Sequence, residues 1–240
     1  VKVLAPADNI GADWQGGSEP FDDNAWRSGT NGVGYERSSG YDPYINIDVD
    51  DAMSNRTSCY IRIPFNVSGA DLASWNFMNL QMRYDDGFVA YLNGARISSA
   101  NAPATLNYLS SATQTNDDSS ATTFESFNVS AYLGSLRAGQ NILAIQALNE
   151  STGSSDFLNQ ARLVAGFNEG GGDGVGGTEY TGPITLNSTS RLVARVYDPS
   201  GGNSTSSGQT PVGTGWSAPL AVEYLINEVP AGPSNLVISE

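Results

Sequence analysis

The chain of 240 residues contains no histidine, one cysteine (Cys59) and one lysine (Lys2). Without histidine there is no ordinary general base near neutral pH, no Ser-His-Asp triad and no zinc site that uses imidazole. A single cysteine forms no internal disulfide, and the strand-like setting CYIRIPF reads Cys59 as a small buried hydrophobe rather than a nucleophile. Positive charge is scarce, since 11 Lys and Arg stand against 25 Asp and Glu for a formal net charge of −14. Phosphate binding needs a basic stripe, so neither nucleic acid nor an anionic membrane surface is an expected partner. No apolar run approaches the roughly 18 residues of a membrane-spanning helix. Nor does a basic-then-apolar leader open at Val1, which places any secretion signal outside this stretch.

What the chain does contain is enough apolar material for a core, with 39% hydrophobic and only 15% charged residues. Glycine, serine, asparagine and aspartate interrupt short apolar runs, and sustained helical periodicity is nearly absent. The fold class expected is therefore all-β, a sandwich of many short strands. Strands are predicted at 59–67, 77–84, 88–98 (broken by a turn), 122–129, 140–148 and 157–165. Within FVAYLNGARIS, Asn93-Gly94 lies between two alternating arms, a strong signal for a two-residue hairpin turn with positive φ at both centres. The segment 130–139 can hold one helical turn, with Gly139 able to end it.

The composition breaks at NEGGGDGVGGTEY, where glycines crowd together. This gives an expected organisation of a main sandwich over 1–167, a Gly-rich connector over 168–182, a small β appendage over 183–230, and a tail over 231–240 that starts another alternation. Strands are predicted in the appendage at 183–186, 191–198 and 221–229. Three strands bury little surface alone, so the appendage is expected to dock on the main sandwich.

Four pieces in order, FDDNAW, CYIRIPFNV, FVAYLNGARI and FNVSAYLGSLRAGQNILAIQALN, resemble the galactose-binding-like jelly roll, including the sugar-binding domains of β-galactosidase-type glycoside hydrolases. WQGGSEPFDDNAWRSGTNGVGYE, RYDDGFVAYLNGARI, NAPA and ALNESTGSSDFL look like a jelly-roll module common in large secreted multidomain bacterial proteins. YTGPITLNSTSRLVARVYD with GWSAPLAVEYLI resembles a chitobiase-carboxyl-terminal-like β domain, although its usual opening strand is replaced by the glycine stretch. NLVISE looks like the first strand of a lamin-tail-like domain. The resemblance implies a jelly-roll β-sandwich that serves as a non-catalytic accessory module of an extracellular or cell-surface protein, with other domains of the same parent chain as neighbours. Fold alone does not fix function, so the site has to carry the argument.

Asp85-Asp86-Gly87 immediately precedes a hairpin arm whose partner runs back toward Asn101, which brings Asp85, Asp86 and Asn101 to one end of the sheet. Adjacent carboxylates repel, and a hard divalent cation with six to eight oxygen ligands can hold them together, so Ca²⁺ is the expected cofactor. The same doublet resembles the Asp-Asp calcium motif of yeast flocculin-type lectins. In related calcium-bearing jelly rolls a carboxylate near the last strand holds a structural ion, which makes Asp156 the matching position here. The competing reading is a turn whose aspartates accept backbone N–H bonds. Asp117 and Asp118 read as solvated loop charge, Asp22 and Asp23 as a turn or cap, and Trp14 and Trp26 as core or sandwich-end plugs.

Aromatic rings in polar loops can pack on the apolar faces of sugars while amides and carboxylates take the hydroxyls. Tyr41, Tyr44, Trp75 and Tyr108 fit that description, with Asn149 as an amide candidate; each ring could equally pack its own loop onto the sandwich. A stacking contact contributes on the order of 1 kcal/mol beyond burial, so a few of them give weak binding that needs multivalency. A glycosidase would need two carboxylates across a cleft, and no compact catalytic motif singles out a pair. The sequence therefore points to a carbohydrate-binding module for a polysaccharide or oligosaccharide, with no catalytic residues. A neutral glycan is favoured, because a polyanion would be repelled unless calcium bridged the two. The alternative is a structural spacer or protein-adhesion domain.

Overall fold

The computed structural model describes residues 1–167 and, beyond them, the strands Ser190–Ala194 and Leu220–Tyr224. The chain divides into two compact units, Val1–Gly176 and Gly177–Glu240.

The first unit is an all-β sandwich. In chain order its strands are β1 (Lys2–Leu4), β2 (Arg27–Ser28), β3 (Val33–Glu36), β4 (Ile47–Asp48), β5 (Ser58–Val67) and β6 (Phe77–Asp85). They continue with β7 (Gly87–Leu92), β8 (Ala95–Ala100), β9 (Glu125–Asn128), β10 (Gly139–Leu148) and β11 (Asp156–Gly166). Sheet one has the order β2-β1-β5-β10-β7-β8, and sheet two the order β4-β3-β11-β6-β9. From β5 onward the chain changes sheet at every step except the β7–β8 hairpin, which is the winding of a jelly roll. Among the described residues no helix exceeds six residues, and none is long and apolar enough to cross a membrane.

Period-2 alternation explains the core. Ile61 of β5, Phe88 and Leu92 of β7 and Ile145 of β10 face Met78, Leu80 and Met82 of β6 and Phe157 of β11. The intervening residues of sheet one are buried as well: Tyr60, Val89, Tyr91, Ile142 and Ala144 pack under Trp14 and Trp26 from the amino-terminal segment. Trp14 stacks on Tyr60 with centroids 4.0 Å apart and meets Tyr91 edge-on. Sheet one thus has apolar contacts on both faces, and β7 is buried along its whole length. A smaller cluster of Tyr41, Ala121 and Leu158 covers part of the outer face of sheet two.

Asn93 and Gly94 have φ values of 49° and 88° in the β7–β8 turn, as the Asn-Gly pair requires. The predicted strand at 122–129 is shorter than expected. Thr122 caps the helical turn Asp118–Ala121, and Phe124 lies beneath the guanidinium groups of Arg83 and Arg162. The helical turn after β9 spans Ser130–Ser135 and stops before Gly139. What closes that segment is the Asn141 amide, which accepts from Arg137 N and donates to the carbonyls of Arg137 and Gly139. Gly139, with φ 90°, instead opens β10.

In the second unit, strands β12 (Ser190–Ala194) and β13 (Leu220–Tyr224) pair antiparallel, with Leu192 opposite Val222. The strand expected at 183–186, the connector at 168–182 and the tail at 231–240 lie outside the described residues.

Candidate functional site

One pole of the sandwich gathers most of the polar candidates. Asp85 ends β6 in sheet two and Gly87 begins β7 in sheet one, so Asp86 spans the gap between the sheets through a cis Asp85–Asp86 peptide. The antiparallel registers Phe88↔Ala100 and Gly87↔Leu148 set Asn101 and Asn149 beside that crossing. Leu158↔Asp85 does the same for Asp156, two residues away at the start of β11.

The two adjacent aspartates have different environments. Asp86 is 4% exposed, and its carboxylate accepts backbone N–H groups from Asn116 at 3.0 Å and Glu150 at 2.8 Å. Its carbonyl accepts from Asn101 Nδ2 at 2.8 Å, so this residue ties three loops together. Asp85, equally buried, belongs to the outer face of sheet two with Tyr41. Its carboxyl is pushed up to about 9, first by burial, then by hydrogen bonding with and the charge of Asp86, and by the field of Asp156.

Tyr41 is 1% exposed, and its hydroxyl forms no hydrogen bond of good geometry, although the Asp85 carboxyl lies within reach of one. The hydroxyl is close enough to feel Asp85, Asp118 and Asp156, whose charges add to burial in raising its pKa. Asp156 is half-buried, accepts from the hydroxyls of Ser154 and Ser155, and is raised by burial and by the charges of Asp118 and Glu36. Glu36 goes the other way: burial opposes ionisation, but hydrogen bonds from Ser38, Tyr41 and Ser39 outweigh it. Asp117 and Asp118 are exposed. Among the described residues, no three carboxylate or cysteine side chains converge as a ready-made metal set.

The sugar-contact candidates are dispersed. Tyr41 cannot present a face to a ligand in this conformation, because its ring fills the cluster with Ala121 and Leu158. Asn149, also 1% exposed, is a strut between β10 and β11, donating to Tyr35 Oη at 2.9 Å and to the Asp156 carbonyl at 3.1 Å. Tyr44 is half-buried with the Arg83 guanidinium 4.5 Å from its ring centre. Trp75 sits at the opposite pole, against an apolar cleft of about 470 Å³ lined by residues such as Phe65, Leu143 and Leu163. Tyr108 packs toward the Trp14 and Tyr60 cluster. These rings occur in polar segments because the segments fold down over sheet faces that still present apolar residues.

Sequence reasoning missed a second polar constellation, on the outer face of sheet one. Arg62 is 1% exposed and donates through Nε to Asp23 at 2.8 Å, through Nη2 to Glu19 at 2.7 Å and through Nη1 to the Trp14 carbonyl at 2.5 Å. Asp22 holds the expected turn by accepting from Asn24 N, whereas Asp23 is an ion-pair partner and not a cap. An arginine inside the apolar run CYIRIPF, on the outward alternation it shares with Tyr60, was the available signal, read together with the acids of SEPFDD.

No family model matches the chain, and no curated protein matches it in sequence. Among solved structures, a β-D-mannosidase from Dictyoglomus thermophilum is 19% identical over 38% of this chain and 9% of its own, with a TM-score of 0.25. A Bacteroides uniformis β-glucuronidase is 14% identical over 66% of this chain and 17% of its own, with a TM-score of 0.34. The Bacteroides uniformis β-glucuronidase 2, covalently bound to cyclophellitol-6-carboxylate aziridine, is 15% identical over 93% of this chain and 25% of its own, with a TM-score of 0.37. The chain therefore spans a quarter or less of the length of these enzymes. At such scores the likeness carries no functional argument.

Proposed function

We propose that the sandwich is a non-catalytic carbohydrate-binding module that holds a parent enzyme or adhesin against an extracellular polysaccharide, with Ca²⁺ stabilising its acidic pole. The observation that carries this reading is the meeting of Asp85, Asp86, Asn101, Asn149 and Asp156 at one end of a rigid double sheet. Oxygen donors suit a hard cation, and here they include Asp85, whose ionised form is disfavoured, and the buried Asn149 Oδ1, which has no hydrogen-bond partner. Asp85 and Asp156 would supply charge, with neutral oxygens completing the shell, while Asp86 stays with its two backbone donors.

A ligand bound only by the native state raises apparent stability, so the calcium part is tested by melting in excess chelator against millimolar Ca²⁺. The midpoint should rise with Ca²⁺ in the wild type and stay fixed in Asp85→Asn; an unchanged wild-type midpoint removes the ion. The glycan part is tested on an array of plant, algal and microbial polysaccharides. Release of reducing sugar by the isolated chain would reject the non-catalytic assignment. The dispersal of Tyr41, Tyr44, Trp75 and Tyr108 over separate clusters favours a second reading, a structural spacer or adhesion domain, and silence across the array would select it.

A further inference from the structure

Resting on the carbohydrate-binding reading, we infer that the saccharide site is the cleft of about 510 Å³ on the outer face of sheet one, and that its ligand is an uncharged sugar chain. The acidic pole then serves stability and not recognition. Lys2 of β1, Arg62 of β5 and Gln140 of β10 come from neighbouring strands, and Glu19, Phe21 and Asp23 come from the loop laid across them. The volume falls within the roughly 300–1,000 Å³ of small-ligand sites.

The arrangement has the parts that polyhydroxyl recognition needs. Arg62 is too deeply buried to touch a ligand; its role is to fix the two carboxylates. Each gives one oxygen to the guanidinium while its side chain remains 26% exposed in Glu19 and 22% in Asp23. Acceptors held in place by a buried ion pair lose little side-chain freedom when a sugar hydroxyl arrives. Gln140 is exposed, Lys2 is half-buried, and both supply donors across the cleft. Phe21 provides apolar surface for sugar C–H groups and is itself held, with Arg62 4.8 Å from its ring centre and Trp26 edge-on at 5.8 Å.

Charge selects the ligand class. Two cations and two carboxylates line the cleft, so it is balanced locally within a chain of net charge −14. A divalent cation would be repelled by the Lys2 ammonium and by the field of the buried Arg62. A polyanion would meet Glu19 and Asp23 and the negative field of the whole protein. A neutral saccharide faces neither penalty.

The test uses the full chain with soluble neutral polysaccharides (β-glucan, galactomannan, xylan, galactan) and alginate as the anionic control, read by affinity electrophoresis. Lys2→Ala/Gln140→Ala should weaken binding of the recognised neutral polymer by ~tenfold or more at an unchanged melting temperature. With an oligosaccharide of the same polymer, wild-type ¹⁵N chemical shifts should move at Arg62 Nε and the Gln140 amide and stay fixed at Asn101 and Asn149. Binding that survives the double variant, with shifts confined to the acidic pole, overturns the cleft while leaving a carbohydrate-binding module. Preference for alginate overturns the neutral-ligand assignment. Absence of binding by the wild type to every polymer overturns the cleft together with the reading beneath it.

Discussion

Asp85 carries a carboxyl that the folded protein prefers to keep protonated, and this has a definite pH signature. Its native pKa, raised to about 9, lies above the unfolded carboxylate value of about 3.9. Between those values the native state holds more protons than the unfolded chain, so the contribution is fully present below about pH 4 and is lost as pH climbs toward 9. In chelator, the melting temperature of the wild type should decline between pH 5 and 8 more steeply than that of Asp85→Asn, which should be the more stable protein at pH 8. Parallel profiles would show that Asp85 is not the group responsible. The Asp-Asp doublet was legible in the sequence, and so was its proximity to Asn101, because hairpin register follows from the turn. Which aspartate would accept two backbone N–H groups was not, since the donors Asn116 and Glu150 arrive from loops with no fixed spacing to it.

At the level of the element, the β7–β8 turn joins local conformation to long-range packing. Asn93 accepts from Ile142 N at 2.9 Å and donates to Asn141 Oδ1 and the Ser135 carbonyl. Asn93→Ala should lower stability by about 1–3 kcal/mol by leaving those groups unpaired. At Gly94 a Cβ atom would lie 2.9 Å from Gly17 Cα, and φ is 88°. Gly94→Val should therefore cost about 1–3 kcal/mol from the backbone conformation, plus the cost of displacing the amino-terminal segment. Denaturant midpoints for both variants measure this, and a midpoint equal to wild type at Gly94→Val would show that the segment yields freely. The longer strands β5, β6, β7, β10 and β11 were readable from alternation. The short β1 to β4 were not, because two to four residues hold too little periodicity and their pairing is imposed by partners far along the chain.

For the molecule as a whole, Cys59 reports on the integrity of the sandwich. It is 0% exposed between the sheets, and burial alone pushes its thiol up to about 12. A maleimide should leave the native protein unlabelled, and labelling should follow the global unfolding transition across a denaturant series. Labelling well before that transition would reveal that the sheets part locally at β5. Composition made the two-layer class legible, and the doublet located one polar pole. It could not show that the amino-terminal segment covers sheet one, since that depends on where Trp14 and Arg62 end up in space.

All three of the formed Arg62 hydrogen bonds go to residues between Trp14 and Asp23. That side chain therefore works as a rivet: the first stretch of the chain is upholstery fastened over Tyr60 and Tyr91, and the fastening point is also the floor of the proposed saccharide groove. A protease nick near the exposed Gly17 to Pro20 segment would loosen cover and floor together, and glycan capture would disappear before the two-sheet frame comes apart.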